Sequence, residues 1–198
     1  MVRIYVIRHG ETEPNTRRAC VGRGDYPLNK TGKMQAQKLA EKLSVKTDVI
    51  YVSPLCRAYQ TIEPYLLKHP DTEVHTVPEI IERDFGIWEN LSFKEIEKIE
   101  PIRYKEWQDN YIEYKIPEGE SLLEVACRIN SFIEKVCPLH DGQTIFMVTH
   151  LCTARQIIAT LLGLDPYKSR CFTMENASYA VIDYNIKSKC GVLNCSNI

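Results

Sequence analysis

At 198 residues, the chain has the size of one ordinary domain, able to bury about two-thirds of the surface its unfolded form would expose. Apolar residues make up 44% and charged residues 26%, a globular balance that excludes disorder and fibre. Twenty-five basic against 26 acidic side chains leave a formal charge of −1, which excludes a general nucleic-acid surface and makes any anion site a local concentration of positive charge.

Ile4–Ile7, an apolar run between Arg3 and Arg8, reads as a strand. It is too short for a membrane span or a signal-peptide core, so the reading is a cytoplasmic protein without membrane contact. Thr31–Ser44 carries Ala36, Leu39, Ala40 and Leu43 at helical spacing, and Val49–Val52 is a second strand. The helical pattern after Arg57 contains Pro64, which is expected to kink or end it. Val74–Val77 is a weaker strand candidate. Ser92–Tyr114 carries no strand. There Tyr104, Trp107, Tyr111 and Tyr114 recur at spacings of three and four, which predicts four aromatics on one helical face. Such a stripe serves packing, or it belongs to a helical insert that covers a pocket and offers some rings to it.

Further on, Ser121-Leu-Leu-Glu124 is a capping-box pattern opening a helix to about Val136. Ile145–Val148 is the next strand, followed by a helix over His150–Leu162 that stops at Gly163. Tyr179–Ile182 is the last strand candidate. The alternation predicts one α/β domain over residues 1–198: a mostly parallel central sheet flanked by helices on both faces, with a small helical cap insert at about 92–117.

Eight cysteines stand at 20, 56, 127, 137, 152, 171, 190 and 195, with no C-x2-C pair. Neither a disulfide framework nor a zinc site fits this spacing, so they read as reduced thiols used as small core residues. No metal site and no cofactor is expected. A P-loop pattern is also missing, which argues against nucleotide hydrolysis by that route.

Three of the candidate strands deliver basic residues just past their C-terminal ends. Ile4–Ile7 is followed by Arg8 and His9, Val49–Val52 by Ser53 and Arg57, and Ile145–Val148 by Thr149 and His150. In an open parallel sheet, ligands bind outside the carboxyl ends of the strands. Two arginines and two histidines converging there suit a tetrahedral dianion, because guanidinium forks pair with phosphate oxygens.

Arg8-His9-Gly10-Glu11-Thr12 with Asn15 resembles the signature of the histidine phosphatase superfamily, the phosphoglycerate-mutase-like enzymes. The likeness continues through Gly22-Arg-Gly-Asp25-Tyr-Pro-Leu28, Thr31-Gly32-x-x-Gln35-Ala36 and Ser53-Pro-Leu-Cys-Arg57-Ala-Tyr-Gln60-Thr61. It ends with Glu82-Arg-Asp-Phe-Gly86-Ile-Trp88-Glu89, Pro117-Glu-Gly119-Glu120-Ser121 and Val148-Thr-His150, in the family's order, over residues 2 to about 180.

The resemblance implies that His9 is the nucleophile and forms a phosphohistidine. It assigns Arg8, Asn15, Arg57 and His150, the last as an imidazolium, to the phosphoryl oxygens. Glu82, four residues before Gly86, takes the place of the general acid and base, while Glu79 and Glu89 read as solvated surface carboxylates. Many relatives have glycine after the second histidine, where this chain has Leu151 and Cys152, side chains that would narrow the pocket. Arg155 matches an arginine of phosphatase-type relatives and would orient its helix; Lys187–Ile198 has no counterpart. The short insert resembles the phosphatase branch, including α-ribazole phosphatases of cobalamin biosynthesis and broad-specificity or phosphoserine phosphatases. The implied partner is a small-molecule phosphomonoester. Phosphoglycerate mutation and a non-catalytic phospho-ligand module are the alternatives.

Overall fold

A computed structural model describes residues 1–198. Its centre is a six-stranded sheet built from β1 (Val2–Arg8), β2 (Val49–Val52), β3 (Glu73–Thr76), β4 (Thr144–Thr149), β5 (Tyr179–Asn185) and β6 (Cys190–Cys195). The strand order is β3-β2-β4-β1-β5-β6. The first four run parallel, whereas β5 and β6 are antiparallel additions at one edge. β1 therefore lies inside the sheet, and its C-terminal end emerges beside that of β4, with Arg8 in register with Thr149.

Successive strand side chains point to opposite faces, and this alternation sorts the core into two layers. Ile4, Val6, Val49, Tyr51, Ile145 and Met147 pack on one side against α6 (Leu122–Val136) and α7 (Leu151–Leu161). Ile7, Ile50, Val52, Phe146 and Val148 pack on the other against α2 (Lys30–Lys42) and α3 (Cys56–Leu66). Helices thus cover both faces, as the alternating pattern predicts. α1 (Glu13–Thr16) is a single turn behind the first loop. The capping box at α6 forms as written: the Glu124 amide donates to Ser121 Oγ at 3.1 Å, and the Ser121 amide to Glu124 Oε2 at 2.8 Å. Gly163 follows α7 at φ +66°, the left-handed conformation that closes a helix. Pro64 sits in the last turn of α3, which ends two residues later.

Three expectations change. The aromatic stripe is not on one helix. Pro101 starts a new helix after α4 (Phe93–Ile99), and α5 (Pro101–Asp109) stops before Asn110, so Tyr111 follows in a turn and Tyr114 in irregular chain. The rings still gather: Trp107 lies 5.4 Å from Tyr104 and 5.0 Å from Tyr111, and Tyr114 stacks on Trp88 at 5.8 Å. A strand missing from the sequence reading is β6. It is a half-exposed edge strand with only Val192 and Leu193 as strand-forming residues, too little for a visible alternation. The cysteines are all free, but only Cys20 and Cys137 are buried, while Cys127, Cys171 and Cys190 are exposed and do not serve as core residues. No helix is long and apolar enough to cross a membrane.

Candidate active site

His9 is the first residue past β1, and the backbone around it is pinned from several directions. Its amide donates to Thr149 O at 2.9 Å, its carbonyl accepts from the Ala177 amide, and the Gly10 amide donates to Thr61 Oγ1 at 2.9 Å. The neighbouring loop lies close against α2. A side chain at Gly32 would place its Cβ 2.1 Å from Glu11 O, so only glycine permits this approach. The His9 Nδ1–H donates to Gly10 O at 2.6 Å, which leaves Nε2 with a free lone pair. Burial, then the charges of Arg57 and Arg8, hold the ring well below the ordinary histidine pKa. His9 is therefore a neutral imidazole with a fixed tautomer.

Beside it lies a second set of contacts. Arg57, completely buried, donates Nε–H to His150 Nδ1 at 3.1 Å. His150 must accept there, so its proton sits on Nε2, 2.7 Å from Ser53 Oγ. Burial and the Arg57 charge hold His150 well below the ordinary value. The expected imidazolium is thus replaced by a neutral ring, because a guanidinium already occupies the nitrogen that a second proton would need. The two imidazoles are tilted against each other at 5.1 Å.

Arg57 also donates to Gly24 O at 2.7 Å and to Gly22 O at 2.8 Å. The amides of the same two glycines donate to Glu89, at 3.0 Å and 3.2 Å. One short loop is thereby clamped by a cation through its carbonyls and by a carboxylate through its amides. Glu89 is not the solvated carboxylate expected from sequence; it is half-buried, and burial raises its pKa. Glu89→Ala is expected to cost about 1–3 kcal/mol of stability, since it strips the loop amides of their acceptor. A thermal melt with an unchanged Tm would show that these hydrogen bonds contribute nothing.

His9, Arg8, Asn15 and Glu82 share the wall of one cavity of about 200 Å³. Arg8 donates Nη1–H to Met174 O at 2.6 Å, and its Nε is buried without a partner. Asn15 Oδ1 accepts from the Thr12 amide and hydroxyl at 3.1 and 3.0 Å. Glu82 stands at the N-terminus of α7. It accepts from the Cys152 and Thr153 amides at 3.1 Å each and from the Arg83 amide at 2.8 Å. It thereby caps a helix whose own N-cap side chain makes no such bond. Arg57 and His150 adjoin His9 rather than line this cavity, the His150 ring 5.1 Å from that of His9 and Arg57 hydrogen-bonded to His150. Leu151 and Cys152 do line the cavity, as do Phe93, Trp107 and Tyr111.

Sequence reasoning missed Arg83 and Arg170 on this wall and gave Arg155 only a helix-orienting part. Arg155 does bridge α7 to Phe172 O at 2.8 Å, but it also faces the cavity. Arg83 stands next to Glu82 in the motif, a signal that could have drawn attention to it. Arg170 has no local signal and reaches the site only through tertiary folding.

Comparison with known proteins agrees with this geometry. The model of the histidine phosphatase superfamily, branch 1, matches residues 4–194. Phosphoserine phosphatase 1 of Hydrogenobacter thermophilus is 36% identical over 183 residues, 92% of this chain and 86% of that protein. The Proteus mirabilis protein named "Probable phosphoglycerate mutase GpmB" is 32% identical over 185 residues, 93% of this chain and 86% of its own. The crystal structure of the α-ribazole phosphatase from Shigella flexneri superposes with a TM-score of 0.90 at 28% identity, covering 99% of this chain and 96% of that one. With the sheet, the pinned His9 and a family match along nearly the whole chain, the protein belongs to the histidine phosphatase superfamily, branch 1.

Proposed function

We propose that the chain is a metal-independent phosphomonoesterase that releases phosphate from a small phosphorylated metabolite through a phosphohistidine on His9. The observation that carries this reading is the His9 Nδ1–H bond to Gly10 O, which leaves Nε2 as a bare nucleophile in a cavity shared with Arg8 and Glu82. Nε2 attacks phosphorus in line while the ester oxygen leaves on the opposite side. Arg8, whose buried Nε has no partner, and Asn15 take phosphoryl oxygens. Arg57 supplies charge near the ring, and of the two arginines it acts more strongly on His9. His150 holds Arg57 in place through Nδ1. Glu82 protonates the leaving alkoxide and then takes a proton from the water that attacks the phosphohistidine.

α-Ribazole 5′-phosphate and phosphoserine are candidate substrates, supported by the names of the similar proteins. Phosphoglycerate mutation is the second reading, favoured by the similar protein of that name. Phosphate release from these esters, the phosphoglycerates and an aryl phosphate, with and without EDTA, separates them. EDTA-resistant release supports the proposal. Turnover that needs a bisphosphorylated primer and releases no phosphate would overturn it. Glu82→Gln is expected to slow alkyl phosphates by about 10²-fold or more and the aryl phosphate far less, since only a poor leaving group needs the proton. Equal losses on both would remove Glu82 from the acid role.

A further inference from the structure

Two cysteines of the cavity wall, Cys20 and Cys152, take no part in phosphoryl transfer. Cys20 lies in the loop after α1, and Cys152 is the second residue of α7. Backbone hydrogen bonds fix both positions. The Cys20 amide donates to Leu91 O and its carbonyl accepts from the Asn90 amide, both at 2.8 Å. The Cys152 amide donates to Glu82 Oε2 at 3.1 Å. The two side chains share one apolar cluster, in which Cys152 packs against the group formed by Cys20, Phe85, Trp88, Ile96, Trp107 and Ile116. Of the titratable groups around Cys20, Cys152 acts on it most strongly, ahead of Glu89, Arg83 and Glu82, which marks the two sulfurs as near neighbours.

The chemistry of the pair follows from this setting. Burial, joined by Cys152 at the one thiol and by Glu82 at the other, pushes both up to about 12, so both are protonated at neutral pH. A protonated thiol is a poor nucleophile toward alkylating agents and peroxide. It suits an electrophile that brings its own base. Trivalent arsenic in water carries hydroxyl groups. Each As–S bond forms as an As–O bond breaks, and the hydroxide leaves with the thiol proton as water, with no change of oxidation state. The second As–S bond closes within the molecule, at the high effective concentration of a tethered group.

We propose that Cys20 and Cys152 form a dithiol site for trivalent arsenic, which bridges the two sulfurs and occupies the catalytic cavity. Arsenic bound there meets the wall that carries Phe93 and Trp107 and sits next to Glu82, whose Oε2 the Cys152 amide holds. Phosphate release then stops. The site itself goes beyond the phosphomonoesterase reading; only the loss of activity rests on it.

The test treats the full-length protein with phenylarsine oxide and reads the product by mass. One arsenic per chain is expected at low reagent, and alkylation of the remaining thiols after unfolding should spare Cys20 and Cys152. 2,3-Dimercaptopropanol should remove the arsenic and a monothiol at equal thiol concentration should not, because only a dithiol replaces a chelate. Cys20→Ala and Cys152→Ala each remove one sulfur without burying a hydroxyl. Each is expected to weaken arsenic binding by about 10²-fold or more, the worth of the second, intramolecular bond. Cys127→Ala and Cys190→Ala, which remove exposed thiols, should bind arsenic as the wild type does. Arsenic held by any other pair of cysteines, an adduct that a monothiol reverses, or unchanged binding in both cavity variants would overturn the site. Mapping the wild-type adduct decides the question even where a variant does not fold.

Activity is a separate readout. Phosphate release from the aryl phosphate should fall in step with arsenic bound and reach the background of His9→Ala at one arsenic per chain. Full release from the loaded protein would overturn the placement in the catalytic cavity. If no ester is hydrolysed by the untreated protein, the hydrolytic reading fails by itself, and the mass measurement still decides the arsenic site.

Discussion

His9→Ala is expected to abolish both turnover and acid-labile phosphoryl labelling of the protein, a loss larger than that of any other single substitution. The reason is positional. His9 is the one imidazole lining the cavity, and His150 has Nδ1 taken by Arg57 and Nε2 directed to Ser53. A substitute nucleophile would therefore have to come from solvent, without the effective concentration that a fixed tautomer provides. Labelling with an aryl phosphate and rapid quench checks this; phosphoryl label retained in the variant would place the covalent step on another residue.

The same geometry sets the acid side of the pH profile. Burial, Arg57 and Arg8 lower the His9 pKa below the ordinary 6.5, so the ring stays neutral and nucleophilic as pH falls through that value. Protonation removes the nucleophile only at lower pH. The histidine resonances of the free protein report it directly: His9 should keep its Nδ1–H tautomer below pH 6.5, and a midpoint at or above 6.5 would contradict the burial argument.

Much of this was legible in the sequence because the site is assembled at strand ends. Apolar runs mark β1, β2 and β4, and parallel pairing carries Arg8, His9, Ser53 and His150 to one edge without any knowledge of loops. What was not legible depends on who meets whom across the chain. The protonation state of His150 is set by Arg57, 93 residues away. Glu89 reads as a surface charge until Gly22 and Gly24 fold over it. Arg170 lies in a short 3₁₀ segment with no pattern of its own, and it gains meaning only from Tyr111 beneath it. The aromatic spacing over Tyr104–Tyr114 was a true signal of clustering but a false one of a single helix. Pro101 and Asn110 divide that segment, yet hydrophobic packing still collects the rings around Trp88 and Trp107.

Arg57 carries the second large effect, in which rate and stability fall together. Its guanidinium donates to three acceptors at once, His150 Nδ1, Gly24 O and Gly22 O. Arg57→Ala removes the charge beside His9 and orphans all three. A rate loss of about 10²-fold or more is expected from the missing charge, with a destabilisation of about 2–4 kcal/mol from unsatisfied buried acceptors. Arg57→Lys separates the two contributions. Lysine restores a positive charge, but a single ammonium on a flexible stem lacks the planar fork that spans the three acceptors. The lysine variant should therefore recover part of the rate while its Tm stays near that of the alanine variant. Full recovery of both would mean that charge alone matters and the fork does not. No recovery of rate would mean that Arg57 acts by holding His150 and the Gly22–Gly24 loop in place, so that the contribution assigned to its charge belongs instead to the geometry it imposes. A near-normal rate in Arg57→Ala would remove Arg57 from the reaction altogether and leave Arg8 as the cation that stabilises phosphoryl transfer.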